Sequence, residues 1–222
     1  MGGKGGAGKT GCMLALAEWF EANRIPFTLL DLDTENKARG SFKHYFNGAA
    51  RKVNIHTPAG LDAFIDHLAA GAPIILADMG AGSGQVAQAW FDTMYEDVAK
   101  QGIAFTAIGI ITSDPASVES VLSWANRLRD RVDYLIVENA ATPYADLAYW
   151  QSSEQAQRFR EMFQPGVIAM EFRLADRENP ARQHGVTLGQ VAERKTQVEE
   201  LQKASIVMRA QAYRRQLFAE IR

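Results

Sequence analysis

The chain has 222 residues, 47% hydrophobic and 23% charged, which supplies one α/β domain with a large core and excludes a disordered, collagen-like or coiled-coil chain. With 24 Lys plus Arg against 26 Asp plus Glu the formal charge is -2, which excludes a polycation built to coat nucleic acid and makes any basic surface a local one. The single cysteine, Cys12, excludes an internal disulfide and a zinc or cluster site of paired cysteines; no apolar run reaches the ~18 residues of a membrane span and Met1 leads into glycines, so a cytoplasmic protein is expected.

In chain order, the glycine-rich start passes into a helical pattern over Lys9 to Asn23, with Met13, Leu16, Ala17 and Phe20 at helical spacing. Apolar, β-branched runs then alternate with further helical patterns. The runs are Phe27 to Leu32, Val53 to His56, Pro73 to Met79, Ala104 to Thr112, Val132 to Glu138 and Gly166 to Phe172. The helices between them are Leu61 to Ala70, Gln85 to Gln101, Ala116 to Arg131 and Asp146 to Phe163. A charged helical region from about Leu188 to Arg222, with a break near Ser205, closes the chain. This rhythm predicts a single α/β domain over 1–222, with a mostly parallel, doubly wound sheet flanked by helices. In such a fold a buried strand feeds the first glycine-rich turn, and here the chain opens at the turn itself; a first strand upstream of Met1 is the favoured expectation, with a misassigned start or a sheet edge filled differently as alternatives.

Gly3-Lys4-Gly5-Gly6-Ala7-Gly8-Lys9-Thr10 satisfies G-x-x-x-x-G-K-[ST] and runs straight into a helix, with Gly11 in its first turn. Glycines let backbone N–H groups turn inward around phosphate oxygens, and the helix N-terminus adds partial positive charge. Lys9 bridges the terminal phosphates of a nucleotide in this pattern, and the Thr10 hydroxyl faces Mg²⁺. The same residues also fit G-x-G-x-x-G at Gly3, Gly5 and Gly8, with Asp31 closing the next strand, so a dinucleotide-binding enzyme stays open as an alternative. Lys9-Thr10 directly after the last glycine favours the phosphate loop.

Lys4-Gly5-Gly6-Ala7-Gly8-Lys9-Thr10 resembles the deviant Walker A motif, K-G-G-x-G-K-[ST], of the ParA/MinD family of ATPases, which includes conjugal-transfer proteins similar to TraL. The resemblance implies a SIMIBI-type P-loop NTPase fold, ATP and Mg²⁺ as ligands, and an ATP-dependent homodimer in which Lys4 reaches the partner's phosphates. It implies a slow ATPase acting as a dimerisation switch in plasmid or DNA partition, conjugal transfer or cellular positioning. Leu29-Leu30-Asp31-Leu32-Asp33 carries the D-x-D pattern found there, whose second acid orients the attacking water near the metal. By that match Asp33 positions water, while Asp31 braces the loop; helix capping is the alternative for both. Pro73-Ile74-Ile75-Leu76-Ala77-Asp78 has the form of a Walker B strand, so Thr10, Asp33 and Asp78 form the expected metal-facing set. Gly80, Gly82 and Gly84 follow, without the proline common in the family.

Asn139 stands where relatives meet adenine, with a turn residue as the alternative, and the lack of an N-K-x-D pattern favours ATP over GTP. One cysteine argues against relatives that bridge a cluster across the dimer. From Val191 onward, Arg194, Lys195, Lys203, Arg209, Arg214, Arg215 and Arg222 outnumber Glu193, Glu199, Glu200 and Glu220. A helix packed on the sheet, nonspecific DNA binding, and a membrane-surface helix with a Tyr213, Leu217, Phe218 and Ile221 stripe are three readings of that region. A protein partner is expected for a switch of this kind, and a ligase or kinase-like enzyme of the same fold is the other open activity.

Overall fold

The computed structural model describes residues 8–33, 42–46, 49–80, 84–140, 145–170 and 180–221. Helix α1 (Lys9–Ala22) starts at Gly8, whose φ of 100° lies in the left-handed region that side chains disfavour. It is followed by β1 (Thr28–Asp31), a short α2 (Phe42–Tyr45), β2 (Arg51–Lys52), α3 (Pro58–Ala69), β3 (Ile75–Asp78) and α4 (Gly84–Ala99). Then come β4 (Thr106–Ile111), α5 (Pro115–Leu128), β5 (Asp133–Asn139), α6 (Ala148–Ser152), α7 (Glu154–Phe163) and β6 (Gly166–Met170). The C-terminal unit has α8 (Pro180–Gln183), α9 (Leu188–Ala192) and α10 (Ala204–Glu220). Several helix starts are set locally: Thr57, Asp114, Ser153 and Thr187 accept first-turn N–H groups of Gly60, Ala116, Ala156 and Gln190.

All strand pairs are parallel, in two three-stranded sheets of order β2-β1-β3 and β4-β5-β6. Successive side chains on a strand point to opposite faces, and here both faces are apolar, as parallel strands between helices require. Leu29, Leu76, Ile110 and Val137 share one core with Cys12, Met13, Leu16 and Ala17 of α1 and Leu217 of α10. Their neighbours turn the other way: Leu30, Ile75 and Ala77 pack with Leu61 and Phe64 of α3, while Ile111 and Ile136 pack with α4, α5, α6 and α7. Parallel strands with helices on both faces agree with expectation, but the array is interrupted, since β3 and β4 are not paired. Helix α1 packs on both halves across that interruption.

Three elements differ from the sequence reading. The strand expected at Val53 to His56 is Arg51–Lys52 instead, because Asn54 draws the following residues into a turn: its side chain accepts the His56 N–H at 3.1 Å and its carbonyl accepts the Thr57 hydroxyl at 3.1 Å. The helix expected over Asp146 to Phe163 is two, because the extended Ser153 ends α6 and caps α7. The C-terminal region is broken over residues 193–203, a longer interruption than the break expected near Ser205, with α9, a short 3₁₀ turn at Glu199–Gln202, and α10 from Ala204. Of the three readings of that region, the packed helix agrees with the fold, since the stripe of Tyr213, Leu217, Phe218 and Ile221 packs on the α1 core. No helix among the described residues is long and apolar enough to cross a membrane.

Candidate functional site

The C-terminal ends of β1 and β3 bring three carboxylates together. Asp31 and Asp78 lie opposite each other in register, and Asp33 follows two residues on. All three are buried, at 0%, 2% and 6% exposure for Asp31, Asp78 and Asp33. Into this group reaches the first turn of α1, where the Thr10 hydroxyl donates to Asp78 Oδ2 at 2.7 Å. Burial pushes the Asp78 carboxyl up to about 6; the Thr10 hydrogen bond opposes this, the charges of Asp31 and Asp33 add to it, and Lys9 opposes it. The two residues expected at the phosphates and the metal, Lys9 and Thr10, are therefore at the same strand end as the expected metal carboxylate.

Asp33 is seated against Gly80: a Cβ at Gly80 would lie 2.5 Å from Asp33 Oδ1 and 3.2 Å from Asp33 Cα. Only the absence of a side chain at residue 80 lets the chain after β3 pass so close to that carboxylate. Asp31 accepts backbone donors on both carboxylate oxygens. Its Oδ1 accepts the Asp33 N–H at 3.1 Å and its Oδ2 the Lys43 N–H at 3.2 Å, and its main chain continues the sheet through Val53 N–H to Asp31 C=O at 2.9 Å.

Across the interruption, β5 contributes Asn139. A Cβ at Gly8 would lie 2.6 Å from Asn139 Nδ2, so the carboxamide meets the last glycine of the loop at the start of α1. Gly11 lies within the first turn of that helix. The remaining loop residues singled out from the sequence, Gly3, Lys4, Gly5, Gly6 and Ala7, lie outside the described residues, as do Gly82 and residues 34–41. Sequence reasoning missed the Lys43 main-chain donor altogether, because a backbone N–H carries no side-chain signature. The contact of Asn139 with Gly8 was likewise hidden, since 131 residues separate the two in the chain and only the fold joins them.

The basic residues of the C-terminal unit are partly engaged within it. Arg214 Nη1 donates to Glu193 Oε1 at 2.7 Å and its guanidinium lies 4.9 Å from the Phe218 ring centre, while Lys195 Nζ is 2.6 Å from Glu193 Oε2. Glu18 of α1, 7% exposed, accepts the Gly189 N–H at 3.0 Å and ties this unit to the helix that begins at the site. Chemically, the site gathers oxygen donors, a lysine at a helix N-terminus and a seated carboxylate at the C-terminal ends of β1 and β3. Comparison of the chain with protein-family models, curated proteins and solved structures gives no match.

Proposed function

We propose that the chain is a Mg-ATP-dependent P-loop ATPase that works as a dimerisation switch. The observation that carries this reading is the Thr10 hydroxyl on Asp78: the residue after the loop lysine meets the carboxylate that ends an apolar strand, with Asp33 alongside. The donor set fits Mg²⁺, since hydroxyl and carboxylate are hard oxygen ligands, and a buried carboxyl pushed up to about 6 regains its charge beside a cation. Among the described residues no group of three His, Cys, Asp or Glu side chains could hold a metal ion, so the chain's share would be Thr10 and Asp78, with phosphate oxygens and water completing the shell. When bound, Mg²⁺ supplies neutralisation of phosphate charge.

In this reading Lys9 and the N–H groups at the start of α1 bind the terminal phosphates, and Gly8 keeps the backbone close to them. Asp33 accepts a hydrogen bond from the attacking water and orients it in line with the γ-phosphorus. Asn139, against Gly8, closes the nucleotide side of the loop, and Lys4 reaches the nucleotide of a second subunit. A protein partner then reads the dimer, with DNA bound through the exposed basic residues of α10 as a further assignment.

Phosphate release and light scattering test this together. Mg-ATP hydrolysis to ADP and phosphate is expected, with Lys9→Ala weakening nucleotide binding and Asp33→Ala lowering turnover by about a hundredfold or more. ATP but not ADP should double the mass, and Lys4→Ala should prevent it. A wild-type protein whose mass ignores nucleotide and that releases phosphate only with a second acceptor substrate would transfer the assignment to a kinase-like or ligase enzyme, and preferential NAD binding would transfer it to a dinucleotide enzyme.

A further inference from the structure

We propose that Asp31 is a positioning residue that holds Asp33 in its working place by clasping two main-chain donors from either side of the stretch between them. The inference rests on the reading of Asp33 as the water-orienting group. Asp31 ends β1, the middle strand of its sheet, and is fully buried. Burying a carboxylate is unfavourable unless its oxygens are engaged, and both oxygens of this one are engaged by the backbone: Asp33 N–H on Oδ1 at 3.1 Å and Lys43 N–H on Oδ2 at 3.2 Å. One side chain thus holds two backbone donors, one directly after β1 and one in α2.

Asp33 is fixed from its other sides as well. The Leu32 N–H donates to the Asp78 carbonyl at 2.9 Å, so the main chain just before Asp33 is tied to β3. Its carboxylate rests on the Gly80 backbone, where a Cβ would intrude to 2.5 Å. The Asp31 clasp supplies the restraint that the sheet does not, because β1 ends at Asp31 and the ladder no longer holds Asp33. Orienting a water demands placement of the acceptor within a fraction of an ångström, so a residue that fixes the acceptor's backbone acts on turnover rather than on nucleotide binding.

Asp31→Asn separates these effects. It preserves size but leaves one acceptor oxygen and turns an NH₂ towards a second N–H, so one of the two contacts must break. Asp31→Ala, which brings no amide hydrogen against either donor, repeats the test should the fold reject Asn. Three readouts are compared with wild type and Asp33→Ala: amide exchange at residues 33 and 43, affinity for Mg-ADP, and single-turnover phosphate release from Mg-ATP. The clasp predicts at least about tenfold faster exchange at both amides, affinity within about threefold, and turnover lowered about tenfold or more towards the Asp33→Ala level. Combining Asp31→Asn with Asp33→Ala should cost no further turnover, since one residue acts through the other.

Turnover at the wild-type rate with both amides freed would overturn the positioning role, and so would an equal loss in the Asp33→Ala background. Unchanged amide exchange would overturn the clasp itself. If wild-type protein releases no phosphate, the ATPase reading fails and the positioning role with it, whereas amide exchange still reports separately on the clasp.

Discussion

Strands β1 and β3 are four residues long, and each ends on a carboxylate with its side chain out of water. Strands β4 and β5 have six and seven residues and bury Ile110 and Ile111 at the end of β4 and Ile136 and Val137 at the middle of β5. Behind β5, Tyr134 packs its ring on Phe159 and Phe163 with centroids 5.2 and 4.8 Å apart, and Trp150 donates to Glu138 at 2.8 Å. One half of the parallel array therefore concentrates charge at its edge, and the other concentrates apolar and aromatic packing. Like charges brought together out of water oppose folding. A site of this kind persists because helices shared between the halves, α1 above all, hold it against the better packed sheet.

Damage to the packed half should have the largest effect on the molecule. Ile136 is fully buried in β5, and its Cδ1 would stand 2.9 Å from a Cβ on Gly109, so the site leaves little room to collapse. Ile136→Ala should lower unfolding stability by about 2 to 5 kcal/mol, or about 10 °C in Tm, in urea or thermal melts. A loss below about 1 kcal/mol would mean that β5 is not the scaffold this packing describes.

The opposite sign is expected in the charged half. The Asp78 carboxyl stands at 3.8 when exposed and is pushed up to about 6 in the fold. The folded state therefore binds a proton that the unfolded state releases, and its contribution to stability, full below 3.8, falls away as pH rises to about 6. That difference amounts to at most about 3 kcal/mol. Asp78→Asn, free of the charge, should be more stable than wild type at pH 7 by up to that amount, and the gap should close near pH 4. Melts at the two pH values in the absence of divalent cations measure it, and the same variant should lose Mg-dependent nucleotide binding. Equal stability at pH 7 would show that the Thr10 hydrogen bond and Lys9 already offset the burial.

Much of this layout is legible in the amino-acid order, and the parts that are not have identifiable causes. Acids closing apolar runs at Asp31 and Asp78 announce strand ends because a parallel strand buried on both faces tolerates charge only where it leaves the sheet. The loop pattern before Thr10 fixes where α1 begins, while the two main-chain donors that Asp31 accepts carry no signature in the residue order. Hidden were features decided by turns: Val53 and Ile55 alternate like a strand and are buried, yet Asn54 and Thr57 bend the chain so that the ladder of β2 ends at Val53. Apolar periodicity also does not say what a face packs on. Tyr213, Leu217, Phe218 and Ile221 form a stripe suited equally to a lipid surface or a core, and only the tertiary arrangement places it on α1.

The junction of α1 with the C-terminal unit sets the two kinds of burial in one place and gives the smallest expected effect. Glu18 of α1 is buried, and it accepts the Gly189 N–H at 3.0 Å where α9 begins. Burial pushes its carboxyl up, while the Gly189 and Thr187 hydrogen bonds and the Arg214 charge pull it down and Glu21 pushes it up. The net shift is upward, so this carboxyl, like Asp78, favours the folded state at low pH and loses that contribution as pH rises through its raised value. Glu18→Gln keeps an oxygen for Gly189 and stays neutral throughout, so it should melt above wild type at neutral pH and level with it below pH 4.5, the carboxyl's ordinary value. A wild-type chain that melts higher at neutral pH would reverse the assignment: the hydrogen bonds and Arg214 would then outweigh burial, and the C-terminal unit would be fastened to α1 by charge. Limited proteolysis distinguishes the two, since a charge-fastened unit should be released from α1 by acid while a neutral-fastened one should be held more firmly there.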